Sequence, residues 1–292
     1  MERKRQILIV VNPISGNINK DRLVMEVQQH INNAGENFKV FKTTGQDDKK
    51  KLAELIKTLP PDRILVAGGD GTIKLVAEVI DFQRTSIGII PAGSANGLAV
   101  NLGITRFDLQ TQIKIALGEK LLDCDVLEIN GDFCLHMSDF GINAELIKNY
   151  EASSIRGKFG YLLQSIPTLI NSKYPFEFDI ELPDNHFSRK GILLAVANAS
   201  RYGTGANVNP KGKLDDGIFE ILVFKNFDII GIIKTLRNET EIDPGFVEVI
   251  PATSAKVSCR KPISFQIDGE FIGERSEINV KVLTEKLKIA VN

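Results

Sequence analysis

Residues 64–80 read ILVAGGDGTIKLVAEVI, and the change of rhythm inside them decides how the first part of the chain folds. The run 64–67 is four residues long and continuously apolar, as a strand buried on both faces requires. From Ile73 onward the apolar positions Ile73, Val76, Ala77 and Ile80 recur at helical spacing. Between the two patterns lie Gly68, Gly69, Asp70, Gly71 and Thr72. A strand-to-helix turn does not need three glycines for itself. Bare backbone lets a ligand approach closely, and N–H groups at the positive end of a helix cradle phosphate oxygens. A carboxylate among those donors repels bare phosphate, so Asp70 implies a metal ion or ordered water between them.

Working outward, the runs 7–11, 38–41 and 87–90 are similar short apolar segments, and 23–34 and 48–59 between them read as amphipathic helices. That alternation predicts a parallel sheet covered by helices. Two more turns follow strands directly. Asn12-Pro13-Ile14-Ser15-Gly16 comes after the first, and Pro91-Ala92-Gly93-Ser94-Ala95-Asn96 after the fourth. Ala95, Leu98, Ala99 and Leu102 repeat at helical spacing, which puts Ser94 where an N-cap is expected. Ligands of open α/β sheets bind at the carboxyl ends of the strands, so three such turns are expected to converge there on one ligand.

After residue 122 the texture changes. Strand-like runs at 176–182, 192–197, 219–224, 255–259 and 278–282 alternate with turn residues at 130–132, 183–185 and 215–217. This predicts a β-rich C-terminal sandwich domain, interrupted by helical patterns at 159–170 and 227–237. The expected domains are 1–123 and 124–283, with 284–292 packing back on the first. Two turns here carry carboxylates: Lys213-Leu214-Asp215-Asp216-Gly217 and Asp268-Gly269-Glu270. Each also reads as an ordinary hairpin turn.

Composition narrows the function classes. A hydrophobic fraction of 43% with 25% charged residues belongs to a folded globular chain, and a net charge of -1 argues against a nucleic-acid binder held by bulk electrostatics. Apolar runs fall well short of the ~18 residues of a membrane span. The run 7–11 after the basic start is too short for a signal sequence, so a cytoplasmic location is expected. Cys124, Cys134 and Cys259 are too scattered for a disulfide framework or zinc site, and His30, His136 and His186 contain no pair at metal-ligand spacing. The Walker, dinucleotide-fingerprint and G-x-S-x-G patterns are absent from the sequence.

Taken in order, NPISG, GGDGT, PAGSAN, KLDDG and IDGE resemble the diacylglycerol kinase catalytic family, which includes bacterial lipid kinases and sphingosine kinases; the resemblance spans 12–270. It implies an α/β nucleotide-binding domain like that of NAD kinases, followed by a β-rich C-terminal domain. ATP would be the phosphate donor and Mg2+ the metal. By position, Asn12, Pro13, Ser15 and Gly16 would contact ATP together with Gly68, Gly69, Asp70, Gly71, Thr72, Ile73 and Lys74. Gly93, Ser94 and Asn96 would lie near the phosphates, and Thr43 matches a nucleotide-contacting threonine, with Thr44 an equally close neighbour. Asp268 matches the proposed general base. Asp216 matches a structural magnesium ligand, completed by the main-chain carbonyls of Lys213 and Ile218, while Asp70 and Asp215 would join the network holding the catalytic magnesium.

Two departures bear on the acceptor: Lys74 stands where the family often has asparagine, and GSANGLAV (93–100) where it commonly reads GTANDFAR. The expected acceptor is a lipid hydroxyl reached by peripheral contact at the inner face of the membrane, with apolar segments at 159–169 and 227–233 as candidate lipid-facing surfaces. No nucleic-acid partner is expected, and a homodimer is compatible with the sequence. Two other readings stay open: a kinase of a soluble alcohol, and a nucleotide-binding regulatory module without catalysis.

Overall fold

The first apolar run becomes strand β1 (Gln6–Val11), buried at every position after Gln6. The computed structural model describes residues 4–16, 19–141, 144, 175–202, 206–226 and 243–292. Helix α1 (Lys20–Asn33) follows, started by Asn19, whose side chain accepts the Arg22 N–H, and it buries the stripe Leu23, Val24, Val27 and Ile31. The alternation continues through β2 (Asn37–Lys42), α2 (Asp48–Thr58), β3 (Arg63–Gly68), α3 (Asp70–Ala77) and β4 (Ser86–Pro91). Then come α4 (Gly97–Asn101), α5 (Leu109–Leu117) and β5 (Leu121–Cys124).

Strands β2, β1, β3 and β4 lie parallel in that order. Both β3 and β4 are buried throughout, which explains their unalternated apolar sequences. Leu23, Val27 and Ile31 of α1 share a core with Ile113 and Ala116 of α5 and with Ile7, Ile9 and Leu65 of the sheet. Helix α5 was not among the expected elements, although Asp108 gives it a cap by accepting the Thr111 N–H.

The second series is almost all strand: β6 (Leu127–Ile129), β7 (Asp132–Cys134), β8 (Met137–Gly141), β9 (Phe176–Leu182), β10 (Asn185–Gly191), β11 (Leu193–Ala197), β12 (Arg201–Tyr202), β13 (Ala206–Asn207), β14 (Phe219–Phe224), β15 (Val247–Ala252), β16 (Ser254–Ile267) and β17 (Glu270–Val282). Every pairing among them is antiparallel. The expected strand at 255–259 is the first half of the long β16, and that at 278–282 the end of β17. Between Ser258 and Ile263 the register of β16 shifts. Its first half pairs with β9 and its second with β8. A strand that changes partners at an irregularity turns a sandwich corner. Phe178, Ile180 and Val257 therefore meet Phe140, Leu194, Phe219 and Phe265 in one core. The helical patterns at 159–170 and 227–237 lie outside the described residues.

The last strand, β18 (Leu287–Ala290), enters the first sheet between β4 and β5, parallel to one and antiparallel to the other. The chain accordingly divides into two compact units, 1–124 with 284–292, and 125–283. Among the described residues no helix is long and apolar enough to cross a membrane.

Candidate active site

In the first unit, the three glycine-bearing turns meet at the carboxyl edge of the parallel strands. The strand ladder extends into them: the Asn12 N–H donates to the Ala67 carbonyl at 3.2 Å, and the Ala92 N–H to the Gly68 carbonyl at 2.9 Å. A Cβ on Gly93 would lie 2.5 Å from the Gly69 Cα, and one on Gly16 would lie 2.7 Å from the Ala92 carbonyl oxygen. Neither Gly16 nor Gly93 has room for a side chain of its own.

Polar groups lock the same contact. Ser15 Oγ donates to the carbonyls of Asn12 at 3.0 Å and Ala92 at 3.1 Å. The ammonium of Lys20, a buried residue at the start of α1, donates to the Ser15 carbonyl at 2.5 Å and the Ala92 carbonyl at 2.8 Å. Burial holds its pKa below the ordinary lysine value. Asn96, in the left-handed region with φ 55°, folds back on Gly93, accepting its N–H and donating to its carbonyl.

Asp70 opens α3. Its two carboxylate oxygens accept the Gly97 N–H at 2.8 Å and the Leu98 N–H at 3.0 Å, so it caps α4 from another element. This corrects the cap expected at Ser94: Asn96 occupies the N-cap position without a capping bond, and Ser94 is exposed. A carboxylate accepting two backbone N–H groups satisfies a helix start better than a hydroxyl can. Of the remaining positions, Asn12 and Thr43 are half-buried and Pro13 is exposed. Gly71 is exposed at the first turn of α3, whereas Gly68, Thr72, Ile73 and Lys74 are buried. The Thr43 N–H donates to the Val11 carbonyl at 2.9 Å. Thr44 is engaged with Asp48, which accepts its N–H and its hydroxyl. Two cavities, of about 390 and 300 Å³, border the opposite, amino ends of this sheet and coincide with none of these residues.

In the second unit, the turn 213–217 is shaped by a residue that the motifs did not single out. Asp125 is buried; its N–H donates to the Leu214 carbonyl at 2.6 Å, and its Oδ2 accepts the Gly217 N–H at 2.7 Å. Asn198, also buried, donates to the carbonyls of Asp125 and Leu135. Lys213, Asp215 and Asp216 are exposed on this turn, and Asp216 Oδ1 accepts the Ile218 N–H at 3.3 Å. Among the described residues no three His, Cys, Asp or Glu side chains cluster as a metal cage. One exposed carboxylate beside main-chain carbonyls still fits a hard cation that keeps most of its water, as magnesium does.

Asp268 and Gly269 form the two-residue turn between β16 and β17, with φ of 51° and 87°, the backbone of a type I′ hairpin. The Asp268 carboxylate is held by main chain. Oδ1 accepts the N–H groups of His136 at 2.9 Å and Met137 at 3.1 Å, and Oδ2 accepts that of Leu135 at 2.9 Å. With four lone-pair sites on a carboxylate, one on Oδ2 is not taken by these bonds. On β14, burial raises the carboxyl pKa of Glu220 above its ordinary value, although Asn209 donates to it at 2.6 Å.

Sequence reasoning missed Lys20, Asp125, Asn198 and Gln266. None lies inside a glycine motif; Lys20, Asp125 and Asn198 act on main chain of a distant segment, whereas Gln266 bonds the Asp139 side chain and the Gly269 N–H three residues on.

Residues 6–129 match the diacylglycerol kinase catalytic domain, and residues 138–291 match the YegS C-terminal NAD kinase beta sandwich-like domain. A diacylglycerol kinase of Bacillus subtilis is 26% identical over 281 residues, covering 94% of this chain and 91% of the relative. A protein of Chromohalobacter salexigens described as a "probable lipid kinase YegS-like" is 26% identical over 256 residues, covering 85% and 82%. Among solved structures, a diacylglycerol kinase from Bacillus anthracis superposes with a TM-score of 0.76 at 18% identity, covering 100% of this chain and 98% of that one. An NAD kinase from Archaeoglobus fulgidus in complex with ATP reaches a TM-score of 0.56 at 12% identity, covering 98% and 94%. The structural likenesses establish a shared fold.

Proposed function

Because the chain belongs to the diacylglycerol kinase catalytic-domain family, we propose that it transfers the γ-phosphoryl group of ATP to the hydroxyl of a lipid. The observation that carries this reading is the three-turn contact of Gly16, Gly69 and Gly93 at the carboxyl edge of the first sheet. Backbone pressed this close, beside the positive end of α3, suits a polyphosphate and leaves no room for a bulky apolar ligand.

In this reading Asn12, Ser15, Gly69 and Gly71 orient the phosphates, and Lys20 holds two of the turns rigid from behind. Asp70 uses one lone pair on each oxygen for α4, which leaves capacity to bind the water around a magnesium ion. Bound magnesium would offset charge on the β- and γ-phosphates. Asp216 with the carbonyls of Lys213 and Ile218 would hold a second, structural ion. Asp268, fixed by three backbone donors, accepts the proton of the acceptor hydroxyl on the remaining lone pair of Oδ2, as geometry-first general-base assignment requires.

The test is Asp268→Asn in full-length protein, assayed with ATP, magnesium and a panel of diacylglycerols, sphingoid bases, soluble alcohols and NAD. Loss of the base lowers kcat by about 10²–10⁴ with little change in ATP affinity. Because asparagine presents an NH2 to the 135–137 amides, some loss of thermal stability accompanies it, so circular dichroism at the assay temperature is the control. Near-normal turnover removes Asp268 from the base role. Phosphorylation of a soluble alcohol or NAD alone moves the acceptor class, and ATP binding without any product on the panel favours a regulatory module.

A further inference from the structure

Asp139 and Gln266 form a deeply buried polar pair in the second unit, 1% and 2% exposed. They face each other in register on β8 and β16, and Gln266 Nε2 donates to Asp139 Oδ2. By strand alternation Asp139 shares its side of the sheet with Met137, a member of the apolar cluster that also holds Leu193, Ala195 and Ala197. Replacing a buried polar pair with apolar side chains of similar volume is often neutral or stabilising. Packing alone therefore does not account for this pair.

The other end of Gln266 supplies an account. Its Oε1 accepts the Gly269 N–H at 2.7 Å. That N–H belongs to the peptide joining Asp268 to Gly269, and glycine at 269 makes rotation of this peptide easy. The Asp268 N–H is tied separately to the Met137 carbonyl at 2.9 Å. Gln266 thus locks the plane on one side of Asp268 while the 135–137 amides hold its carboxylate on the other. Asp139 in turn holds the amide of Gln266, so that its oxygen and not its NH2 faces the turn.

We infer that Asp139 and Gln266 are positioning residues that set the aim of the Asp268 carboxylate by fixing the 268–269 peptide. The inference rests on the reading of Asp268 as proton acceptor.

The experiment compares Gln266→Met, Asp139→Asn and the double exchange Asp139→Asn with Gln266→Glu. The exchange restores a donor at 139 and acceptors at 266 without changing net charge. Gln266→Met is expected to lower kcat by roughly ten- to a hundredfold, the scale of a small misplacement, with KM for ATP within about twofold. The double exchange returns most of the loss. In an Asp268→Asn background, Gln266→Met has no further effect on kcat. Equal losses in both backgrounds, or full kcat in Gln266→Met beside an inactive Asp268→Asn, overturn the positioning role. Full kcat in Asp268→Asn alone overturns the base reading instead. If Gln266→Met does not fold, Asp139→Leu, which releases the Gln266 amide so that its oxygen is no longer held towards the Gly269 N–H, carries the same comparison.

Discussion

Two glycines, Gly93 of the first unit and Gly269 of the second, stand in turns of similar sequence texture for opposite physical reasons. Gly93 has no positive φ; it is glycine because the Gly69 backbone fills the space a Cβ would need. Gly269 has φ 87° and nothing within 4 Å of its Cβ position; it is glycine because of its conformation. The aspartates beside them differ in parallel. Asp70 reaches across to start a helix 27 residues on, while Asp268 is itself held by three amides more than 130 residues earlier. Crowding therefore decides Gly93 in the parallel sheet, and backbone torsion decides Gly269 in the hairpin.

The contrast makes a ranking. Gly93→Ala must displace backbone and is expected to cost about 3 kcal/mol in urea unfolding, at the upper end of overpacking, and to abolish measurable ATP binding. A loss below about 0.5 kcal/mol, within the range of ordinary surface changes, would falsify crowding as the reason. Gly269→Ala strains only one residue and costs about 1–2 kcal/mol, with Gly269→Asn milder because asparagine tolerates the left-handed region. If both alanine variants lose the same stability, the distinction between the two regions fails.

The smallest effect concerns pH. Burial raises the folded-state pKa of Glu220, so the unfolded chain gives up this proton first. The resulting penalty is absent below the ordinary glutamate range and grows as pH rises towards the folded value. Glu220→Gln, which keeps an acceptor for Asn209, should remove that slope and gain on the wild type as pH rises, by less than about 1 kcal/mol. Parallel stability curves for the two proteins across that window would show that Glu220 is not the source.

Three strands of the parallel sheet were legible because β1, β3 and β4 are buried on both faces and betray themselves as bare apolar runs, whereas β2 (NFKVFK) has no buried position. Three of the site's turns were legible because glycine clusters are costly anywhere backbone does not need them. The long β16 was read as shorter pieces, since Arg260, Lys261 and Pro262 interrupt the pattern where the strand bends between partners. The Ser94 cap was misread for a related reason: local spacing offered a hydroxyl, and the fold delivered a better acceptor from Asp70.

The order of motifs was enough, by itself, to carry the resemblance to the family, and the apolar rhythm to give the α/β-then-β arrangement. These follow from periods of two to four residues and from side chains that only certain backbones tolerate. Only the tertiary structure decided what holds those residues: Lys20 behind two turns, Asp125 under the 213–217 loop, and the 135–137 amides around the Asp268 carboxylate. Such partners are chosen by chain segments that meet after folding, and nothing in the local sequence of a buried lysine or aspartate records which carbonyl or amide it will face.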